Sequence, residues 1–496
     1  MNIVLPLLLA LPLLGAAVSL ILHGRLRLQR TVSVLVLSAN LAAAIFLLVR
    51  VNEAGAIAVN VGGWEAPIGI TLVADLFASL MVVVAAIMVL GVLIYAIGSP
   101  VTQDQRLFFH PMFLVLATGV SGSFLAGDLF NLFVAFEIML SASYVLLTLG
   151  GRAQQVRSGM TYVVISLLAS TLFITAVGLV YAATGTVNLA DLAQRVPDLP
   201  AGVREALGLL FLVVFGIKAA IFPLFFWLPD SYPTSPTPVT AIFAGLLTKV
   251  GVYAIIRTQT LLFPSDGPST LLLSIAGATM VVGIFGAIAQ DDIKRVLSFH
   301  IVSQIGYMIL GLGLFTAAGL AAAIFFIIHQ IVIKTTMFLV GGLVESVTHT
   351  GQLHRIGGLV HQMPLVAAFF MLPALSLAGL PPFSGFVGKL ALVQEGMAQQ
   401  RYVVVGVSLA VSLLTLFSMT KIWAGAFWGT PDEEPASDHA PRAQGTISRM
   451  AMWSTGGLVV IGLAIALGAG PLWDMSSRAG EWLMDPSQYI GLVFGE

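Results

Sequence analysis

Residues 216–253 read GIKAAIFPLFFWLPDSYPTSPTPVTAIFAGLLTKVGVY. Two lysines and five prolines, among them Pro223 and Pro229, interrupt a segment that is otherwise apolar enough to lie in a bilayer. Proline removes a backbone donor and clashes with the preceding helical turn, so the segment predicts a broken membrane helix. The carbonyl groups freed by such a break need other partners in lipid, which makes the break a candidate ion site.

The whole chain has the composition of a protein embedded in lipid. Of its 496 residues, 58% are hydrophobic and only 9% are charged, whereas a soluble globular protein has about 25% charged residues. The net charge is −1 and there is no basic patch, so we expect no nucleic-acid partner. The chain has no cysteine, which excludes disulfides, thiolate nucleophiles and Cys-ligated metal centres. We expect no cofactor.

Apolar stretches of spanning length recur from end to end, so we predict an all-α polytopic membrane protein. We count fourteen: residues 3–22, 31–50, 72–97, 108–126, 128–149, 157–184, 205–228, 237–257, 270–290, 295–315, 318–345, 362–398, 402–427 and 451–472. The first stretch has no preceding positive charge, so we interpret it as a span and not as a signal peptide.

The distribution of basic residues predicts that both ends of the chain lie outside the cell. With that topology, eleven arginines and lysines fall on the cytoplasmic side and six on the outer side, as the positive-inside rule requires. Lys294 is placed in a cytoplasmic turn, and Arg257 is counted with the outer charges.

A second proline-rich interruption occurs in the twelfth span, at Pro381 and Pro382 within LAGLPPFSGFVGKLAL. Broken helices five spans apart suggest two inverted five-helix repeats, helices 4–8 and 9–13. We predict four parts: an N-terminal three-helix segment (1–107), a first repeat (108–260), a second repeat (261–428) and a C-terminal part (429–496). The C-terminal part consists of a cytoplasmic loop (429–449), the last helix and a surface-lying tail.

Five of the six lysines lie within hydrophobic stretches: Lys218, Lys249, Lys334, Lys389 and Lys421. A lysine at a helix centre costs roughly 2.5–3.5 kcal/mol on the insertion scale, so such residues are functional candidates by default. Lys421 is near a helix end, where it either extends to the interface or lines a mouth of an ion path.

Glu137 is the one mid-span carboxylate, and we choose Lys218 as its counter-ion. The alternative is a structural ion pair that fixes helix packing. His329 and His300 also lie in apolar segments and are either proton relays or buried hydrogen-bonding groups. His329 precedes Lys334 by five residues, which is about 140° off the same face of a regular helix.

Three aspartates are weaker candidates. Asp75 lies near the start of the third span and Asp128 at the start of the fifth, where each can cap a helix or line a mouth. Asp230 follows the first break and is predicted to cap it. We find no spacing typical of a metal site.

At these residues the chain resembles the proton-translocating antiporter-like membrane subunits. Residues 216–253 resemble the hallmark segment of that family, and further similar blocks are DDIKRVLSFHIVSQIGYM, FEIML, KTTMFLVGG and LAGLPPFSGFVGK. The resemblance covers roughly residues 70–425. The family includes subunits of respiratory complex I, membrane-bound hydrogenases and Mrp-type cation/proton antiporters.

Within the family, the chain looks most like the D-type subunits of Mrp antiporters. The features that carry this resemblance are the length of the chain, the segment ITLVADLFASLM, His300 and the tail segment DPSQYI. The resemblance implies a hetero-oligomer with A, B, C, E, F and G-type subunits in a bacterial or archaeal plasma membrane. It also implies a pair at Glu137 and Lys218, a central Lys249, a region at His329 and Lys334, and a distal Lys389. In relatives the spacing from the histidine position to the lysine position is often four, where in this chain it is five.

We therefore expect a transporter subunit and not an enzyme. Protons would pass from Lys218 through Lys249 and the His329/Lys334 region to Lys389, while Na⁺ or another cation moves the other way. One alternative is a proton-pumping membrane subunit of a redox complex, such as complex I or a membrane-bound hydrogenase. A second alternative is a structural scaffold, in which the buried lysines tolerate methionine or leucine.

Overall fold

A computed structural model of the chain describes residues 3–99, 105–430 and 447–495. Most of the predicted loop at 429–449 lies outside these described residues.

The described chain is almost entirely helical, because only a helix satisfies its own backbone groups within one segment in lipid. The α-helices are α1 Val4–Ile21, α2 Leu26–Ala54, α3 Leu76–Gly98, α4 Gln105–Leu125, α5 Leu129–Thr148, α6 Ala153–Thr184, α7 Leu189–Arg195, α8 Ala201–Ala219, α9 Trp227–Ser231, α10 Thr237–Ile242, α11 Thr248–Leu261, α12 Thr270–Ile288, α13 Ile293–Leu314, α14 Ala317–Thr348, α15 Leu359–Gln362, α16 Pro364–Ala378, α17 Ser384–Ala398, α18 Tyr402–Ile422, α19 Arg449–Leu467, α20 Ala469–Leu483 and α21 Pro486–Phe494. Two π-helical segments, Phe243–Leu247 and Trp423–Trp428, continue α10 and α18, and the two strands are β1 Ile57–Asn60 and β2 Thr71–Ala74.

Twelve helical segments of the described chain are long and apolar enough to cross a membrane, which confirms the all-α polytopic class. The other two predicted spans, the seventh and the twelfth, are divided into pieces. The seventh consists of α8, with three charged residues, followed by α9; the twelfth consists of α16 and α17, of 15 residues each. The number fourteen therefore stays a prediction.

Both breaks fall where the prolines are. α8 ends at Ala219, with Ala220 in the left-handed region, and the chain turns through Pro223 before α9. α16 ends before Gly379, whose φ of +84° suits glycine, and Pro381 and Pro382 precede α17. The prolines at each break remove backbone donors and so prevent the helix from continuing.

The chain after the first break returns to the membrane in several pieces. α9 contains Pro229 and leads through a 3₁₀ turn at Tyr232–Thr234 to α10. The π-helical segment Phe243–Leu247 then joins α10 to α11. Such wide turns are often found at functional sites, because they change which backbone carbonyls are paired.

The third span begins later than predicted, because residues 71–74 form a strand. β2 pairs with β1 in an antiparallel hairpin, with Ile57 opposite Ala74 and Asn60 opposite Thr71. Asp75 then caps α3 by accepting a hydrogen bond from the backbone N–H of Ala78 at 2.8 Å. Local hydropathy cannot show this pairing, since the partner strand lies more than ten residues upstream.

The C-terminal tail forms two helices that pack against the bundle, which corrects the expectation of a surface-lying tail. α20 approaches the start of α14 so closely that a Cβ at Gly480 would lie 2.4 Å from the carbonyl oxygen of Ala317. The ring of Trp473 lies 6.0 Å from that of Phe325. Tyr489 of α21 is 2% exposed.

The helices differ strongly in how much of their surface other helices cover. An 18-residue stretch of α14, and one of the span from α10 to α11, is fully buried, whereas about a third of such a stretch is buried in α1 and in α19. The centre of the bundle therefore consists of helices that carry Lys249 and Lys334. These side chains face protein and not lipid.

Candidate functional site

Four lysine side chains are buried inside the helical bundle. Lys218 on α8 is 7% exposed, Lys249 on α11 is 1% exposed, Lys334 on α14 is 0% exposed and Lys389 on α17 is 6% exposed. A buried ammonium group needs hydrogen-bond acceptors or a counter-charge, because its desolvation is costly. The partners of each lysine therefore show what the site can do.

Lys218 is joined to Glu137 through a serine. Its Nζ donates to the carbonyl oxygen of Ser166 at 3.1 Å and to Oγ of Ser170 at 3.3 Å. The Ser170 hydroxyl in turn donates to a carboxylate oxygen of Glu137. The structure has the predicted counter-ions close together, but the contact between them runs through a hydroxyl group and is not a direct ion pair.

Lys249 bonds to the π-helical segment that precedes its own helix. Its Nζ donates to the carbonyl oxygen of Ala244 at 2.6 Å. Ala244 lies within Phe243–Leu247, where the wider turn shifts the usual helical pairing of carbonyl groups. A distortion of the backbone thus supplies the acceptor for an ammonium group in the centre of the bundle.

Lys389 bonds to the end of the helix on the other side of the second break. Its Nζ donates to the carbonyl oxygens of Leu377 at 2.9 Å and Ala378 at 3.2 Å, and to Oγ of Ser412 at 3.0 Å. The same nitrogen lies 4.9 Å from the centre of the Tyr307 ring, within range of a cation–π contact. The last turn of α16 leaves carbonyls unpaired, and Lys389 uses two of them.

Lys334 differs from the other three. Its Nζ is buried and has no hydrogen-bond partner among the described residues. Lys249 and Lys389 both lie close enough to act on it electrostatically. A buried polar group without a protein partner usually has an ordered water, so water is the partner that the chemistry of Lys334 favours.

The two candidate histidines each use one ring nitrogen and leave the other free. Nδ1 of His329 lies 2.9 Å from Oγ of Ser384, at the start of α17, and Nε2 of His300 lies 2.9 Å from Oγ of Ser418. The remaining nitrogen of each ring is buried without a partner in the described chain. One bonded and one free nitrogen is the arrangement that a proton relay requires.

Both histidines lie near the lysines of the second half of the chain. Lys334 and Lys389 act electrostatically on His300 and on His329. The structure therefore brings these four residues together, although α14 stays a regular helix and His329 and Lys334 leave it in different directions.

Asp75 is part of a buried ion pair and not of a mouth. Its carboxylate lies 2.6 Å from a guanidinium nitrogen of Arg257, which is 5% exposed. Arg257, counted with the outer charges from the sequence, is therefore a buried residue of the bundle. The same guanidinium donates to the hydroxyl of Tyr253 at 3.0 Å. Asp128 also serves as a cap, accepting from the backbone N–H of Asn131 at 2.6 Å.

Lys421 lies near the end of α18, and its side chain is 29% exposed. It forms an ion pair with Asp291 at 2.7 Å and donates to the carbonyl oxygens of Ile288 and Gln290, so it holds the turn before α13. Asp230, predicted to cap the first break, instead forms an exposed ion pair with Arg295 at 3.0 Å.

Lys294 also lies elsewhere than predicted. It belongs to α13, is 5% exposed and lies 2.5 Å from a carboxylate oxygen of Glu345. Counted without these two buried residues, the bias of eleven against six becomes ten against five. The predicted sidedness rests on the remaining charges and stays a prediction.

Sequence reasoning did not identify the hydroxyl and amide groups around the lysines. The hydroxyl groups of Ser170, Ser384, Ser412 and Ser418, and the backbone carbonyl of Ser166, bond to a lysine or histidine of the set. Gln330, beside His329, donates to Gln304 at 3.3 Å. Serine is common in membrane helices, so only the tertiary contacts distinguish these serines from others.

No group of three acidic or histidine side chains in the described part of the chain is placed to hold a metal ion. The acceptors around the lysines are carbonyl and hydroxyl oxygens. The site thus consists of titratable nitrogens, neutral oxygens and the carboxylate of Glu137, a combination suited to moving protons.

The family described as NADH:quinone oxidoreductase/Mrp antiporter, transmembrane, matches residues 126–415. The matched segment is more than half of the chain and contains all four buried lysines, both breaks and both histidines.

Three known proteins are similar over nearly their whole length. The D-type subunit of the Na(+)/H(+) antiporter of Alkalihalophilus pseudofirmus is 43% identical over 472 residues, which are 95% of this chain and 94% of the relative. A chain in the structure of the Mrp complex from Dietzia sp. is 34% identical with a TM-score of 0.91, and the match covers 100% of both chains. A chain of the membrane-bound sulfane sulfur reductase, an archaeal respiratory membrane complex, is 26% identical with a TM-score of 0.89 and 99% coverage of both. On these matches and on the lysines, breaks and histidines described above, the chain belongs to the NADH:quinone oxidoreductase/Mrp antiporter family of membrane proteins.

Proposed function

We propose that this chain is the D-type subunit of a multisubunit Na⁺/H⁺ antiporter in a bacterial plasma membrane, and that it carries protons along its buried lysines. The observation that supports this most strongly is the environment of the Lys334 side chain. It is fully buried, has no hydrogen-bond partner among the described residues, and lies within the electrostatic range of Lys249 and Lys389. A side chain so costly to bury points to a functional role.

The proposed path begins at Lys218, continues through Lys249 to Lys334, and reaches Lys389. Because the charges of neighbouring lysines repel, a proton that arrives on one lysine makes its neighbour release its own. Repulsion of this kind passes protonation along the row without large movements of the backbone. Water between the lysines would carry the protons across the gaps.

The two histidines belong to the second half of this path. His329 and His300 lie near Lys334 and Lys389 and have one free ring nitrogen each in the part of the chain that is described. An imidazole accepts a proton on one nitrogen and releases one from the other, so it can connect donors that do not touch. We assign His329 to the step between Lys334 and Lys389, since Ser384, its partner, begins the helix of Lys389.

Glu137 controls the proton affinity of Lys218 through Ser170. While the carboxylate is charged and connected, it favours the ammonium form of Lys218. Any change that weakens this connection favours release of the Lys218 proton to the next lysine of the proposed path. Glu137 is half-buried at the surface of this chain, where a neighbouring protein of the complex can also affect it.

The antiport itself belongs to the assembled complex. Proteins similar to this chain are called Na(+)/H(+) antiporter subunits and occur in an Mrp complex. We propose that the chain assembles with A, B, C, E, F and G-type subunits, and that proton flow through it drives Na⁺ or another monovalent cation in the opposite direction.

We also propose that residues 108–260 and 261–428 are inverted repeats, between the N-terminal part (1–107) and the C-terminal part (429–496). Each proposed repeat has one broken helix, α8–α9 in the first and α16–α17 in the second. In each, the span after the break contains a π-helical segment, Phe243–Leu247 or Trp423–Trp428.

A second candidate function is that of a proton-pumping membrane subunit in a redox complex. The similarity to a chain of an archaeal respiratory membrane complex favours it. The chain itself has no cysteine to bind an iron–sulfur cluster, so the redox partner would be another protein of the complex. Purification of the intact complex and identification of its components separates the two functions.

The proposal is tested with inverted membrane vesicles that contain the complex. The variants are Lys249→Met and Lys334→Met, and the control is Arg204→Gln, an exposed change at the start of α8. We expect each lysine variant to lose Na⁺-dependent proton movement, followed with a fluorescent pH dye, while the control keeps it. Wild-type rates in both lysine variants, with normal amounts of assembled complex, would overturn the proposal.

A further inference from the structure

A cavity of about 360 Å³ lies at the end of the bundle that the basic residues assign to the cytoplasm. Its walls come from α2, α3, α4, the start of α6, the segment around Ser235, α13 and α14. It is distinct from the proposed proton path in one respect: none of the four buried lysines of that path lines it.

The cavity carries excess positive charge. Arg30, Arg152 and Lys294 line it, and Glu345 is the one carboxylate among the described lining residues. Glu345 is already paired with Lys294 at 2.5 Å. The two guanidinium groups of Arg30 and Arg152 therefore remain without a carboxylate in the described cavity wall to balance them.

Several polar atoms in the wall are buried without a hydrogen-bond partner in the described chain. They are Nδ1 of His110, Nε of Arg30 and Oγ of Ser235. His110 is 4% exposed and Ser235 is 3% exposed. Buried polar atoms in folded proteins almost always have a partner. Three residues that line one cavity thus each have a polar atom with no partner in the described chain.

The chemistry of the wall selects the occupant. Guanidinium groups bind phosphate oxygens in pairs, through parallel N–H donors. Ser235 and His110 are further polar residues of the same wall. The remaining wall includes Leu26, Phe109 and Leu149, so the cavity also has apolar sides. Basic pockets between membrane helices on the cytoplasmic side suit anionic lipid headgroups.

We propose that this cavity binds a phosphate group of net negative charge, carried either by an anionic phospholipid of the inner leaflet or by a free phosphate ion. The bound group connects α2, through Arg30, to the start of α6, through Arg152. It thereby ties the N-terminal helices to the part of the chain that carries Ser166 and Ser170. The proposal is independent of the proposed function, because its test measures binding.

The test uses the natural absence of cysteine in the chain. Ser346→Cys places one thiol in the cavity wall, at a half-buried position of α14. The purified complex is exposed to a maleimide reagent, and labelling of this chain is measured in three media: phosphatidylglycerol nanodiscs, phosphatidylcholine nanodiscs, and phosphatidylcholine nanodiscs with added inorganic phosphate. A bound phosphate group protects the thiol.

Two further variants are made in the same background. Arg30→Gln with Arg152→Gln removes both guanidinium groups, and Arg27→Gln, exposed on α2 and outside the cavity wall, is the matched control. Each arginine is expected to contribute about fivefold to binding of an anionic headgroup, so half-protection should need about 25 times more ligand in the double variant. If the double variant does not assemble, Arg30→Gln alone should show the fivefold shift.

The three media identify the source of the phosphate. Protection by phosphatidylglycerol that the arginine variant loses, and that Arg27→Gln keeps, supports the proposal with a lipid as ligand. The same pattern with inorganic phosphate supports it with a free ion. Labelling that is equal in all three media, or protection that the arginine variant fully retains, overturns the proposal.

Discussion

The ammonium group of Lys218 and the carboxylate of Glu137 share a single hydroxyl group, that of Ser170. Lys218 lies on α8 and Glu137 on α5, and Ser170 belongs to α6, between them in sequence. A hydroxyl group that accepts from an ammonium and donates to a carboxylate links the two charges in a defined direction. The hydrogen-bonded connection between Glu137 and Lys218 thus depends on a small, uncharged residue.

Replacement of Ser170 should therefore uncouple the two charges. Ser170→Ala leaves both in place but removes hydrogen bonds to charged groups, worth about 1.5–3 kcal/mol each. We expect Na⁺-dependent proton movement in inverted vesicles to fall about tenfold or more, while Ser170→Thr, which keeps the hydroxyl, retains most of it.

Ser143→Ala is the matched control for this change. Ser143 is buried on α5 and bonds to the hydroxyl of Tyr162, not to a charged group. Its loss should leave transport close to the wild-type rate. If Ser170→Ala and Ser143→Ala transport equally well, the serine bridge has no role in coupling Glu137 to Lys218.

Lys334 and Lys389 should respond differently to methionine, which keeps the length of the side chain. Lys389→Met takes a donor away from the carbonyls of Leu377 and Ala378. We therefore expect the free energy of unfolding to fall by about 1–3 kcal/mol and the unfolding midpoint to be lower. Lys334→Met removes a buried amino group that bonds to nothing in the described chain, so the midpoint should stay or rise.

Both lysine variants should nevertheless lose transport. The comparison uses thermal unfolding of the purified complex together with proton flux in vesicles. A fall in the unfolding midpoint for Lys334→Met as large as that for Lys389→Met would show that Lys334 has a structural partner and is not held for transport.

The ion pair between Arg257 and Asp75 should matter for stability. Arg257→Met leaves the carboxylate of Asp75 buried without its cation, which costs about 3–5 kcal/mol. The amount of assembled complex and its unfolding midpoint should both fall. The double change Asp75→Asn with Arg257→Gln leaves no unpaired charge and should fall less.

The exposed pair of Arg295 and Asp230 serves as its control, since surface ion pairs contribute about 0–1 kcal/mol. Arg295→Gln should unfold at nearly the wild-type midpoint. An Arg257→Met complex as stable as Arg295→Gln would contradict the assignment of this buried pair to stability.

Gly385 should not tolerate a larger residue, because α17 begins against the end of α16 there. A Cβ at Gly385 would lie 1.8 Å from the carbonyl oxygen of Ser376 and 3.0 Å from Nε2 of His329. Gly385→Ala must therefore displace the break or the imidazole, and we expect transport to be lost.

Gly406→Ala is the control, since a Cβ there meets no atom of the described chain within 4 Å. It should assemble and transport as the wild type does. Normal transport by Gly385→Ala would mean that the geometry of the second break and of His329 is not needed for proton movement.

The breaks and the buried lysines could be predicted from sequence, because each has a local cause. Proline ends a helix through its own ring and missing donor, which places the breaks at Pro223 and at Pro381–Pro382. A lysine in an apolar stretch is visible in the letters alone. The family resemblance, which rests on the same residues, was confirmed by the match over 126–415.

The remaining features depend on contacts between distant parts of the chain. From the sequence, Arg257 is one of the outer charges at the end of a span, and only the folded chain shows Asp75, the cap of α3, beside it. Lys294 likewise finds Glu345 only in the folded chain. Ser170 is one serine among many, and only the packing of α5, α6 and α8 places it between two charges.

A cryo-electron microscopy map of the assembled complex, in which ordered waters are visible, decides whether water connects the buried lysines into one path. We expect water bonded to Nζ of Lys334 and further waters towards Lys249 and towards Lys389. Gaps filled by apolar side chains, with Nζ of Lys334 dry, would contradict this expectation.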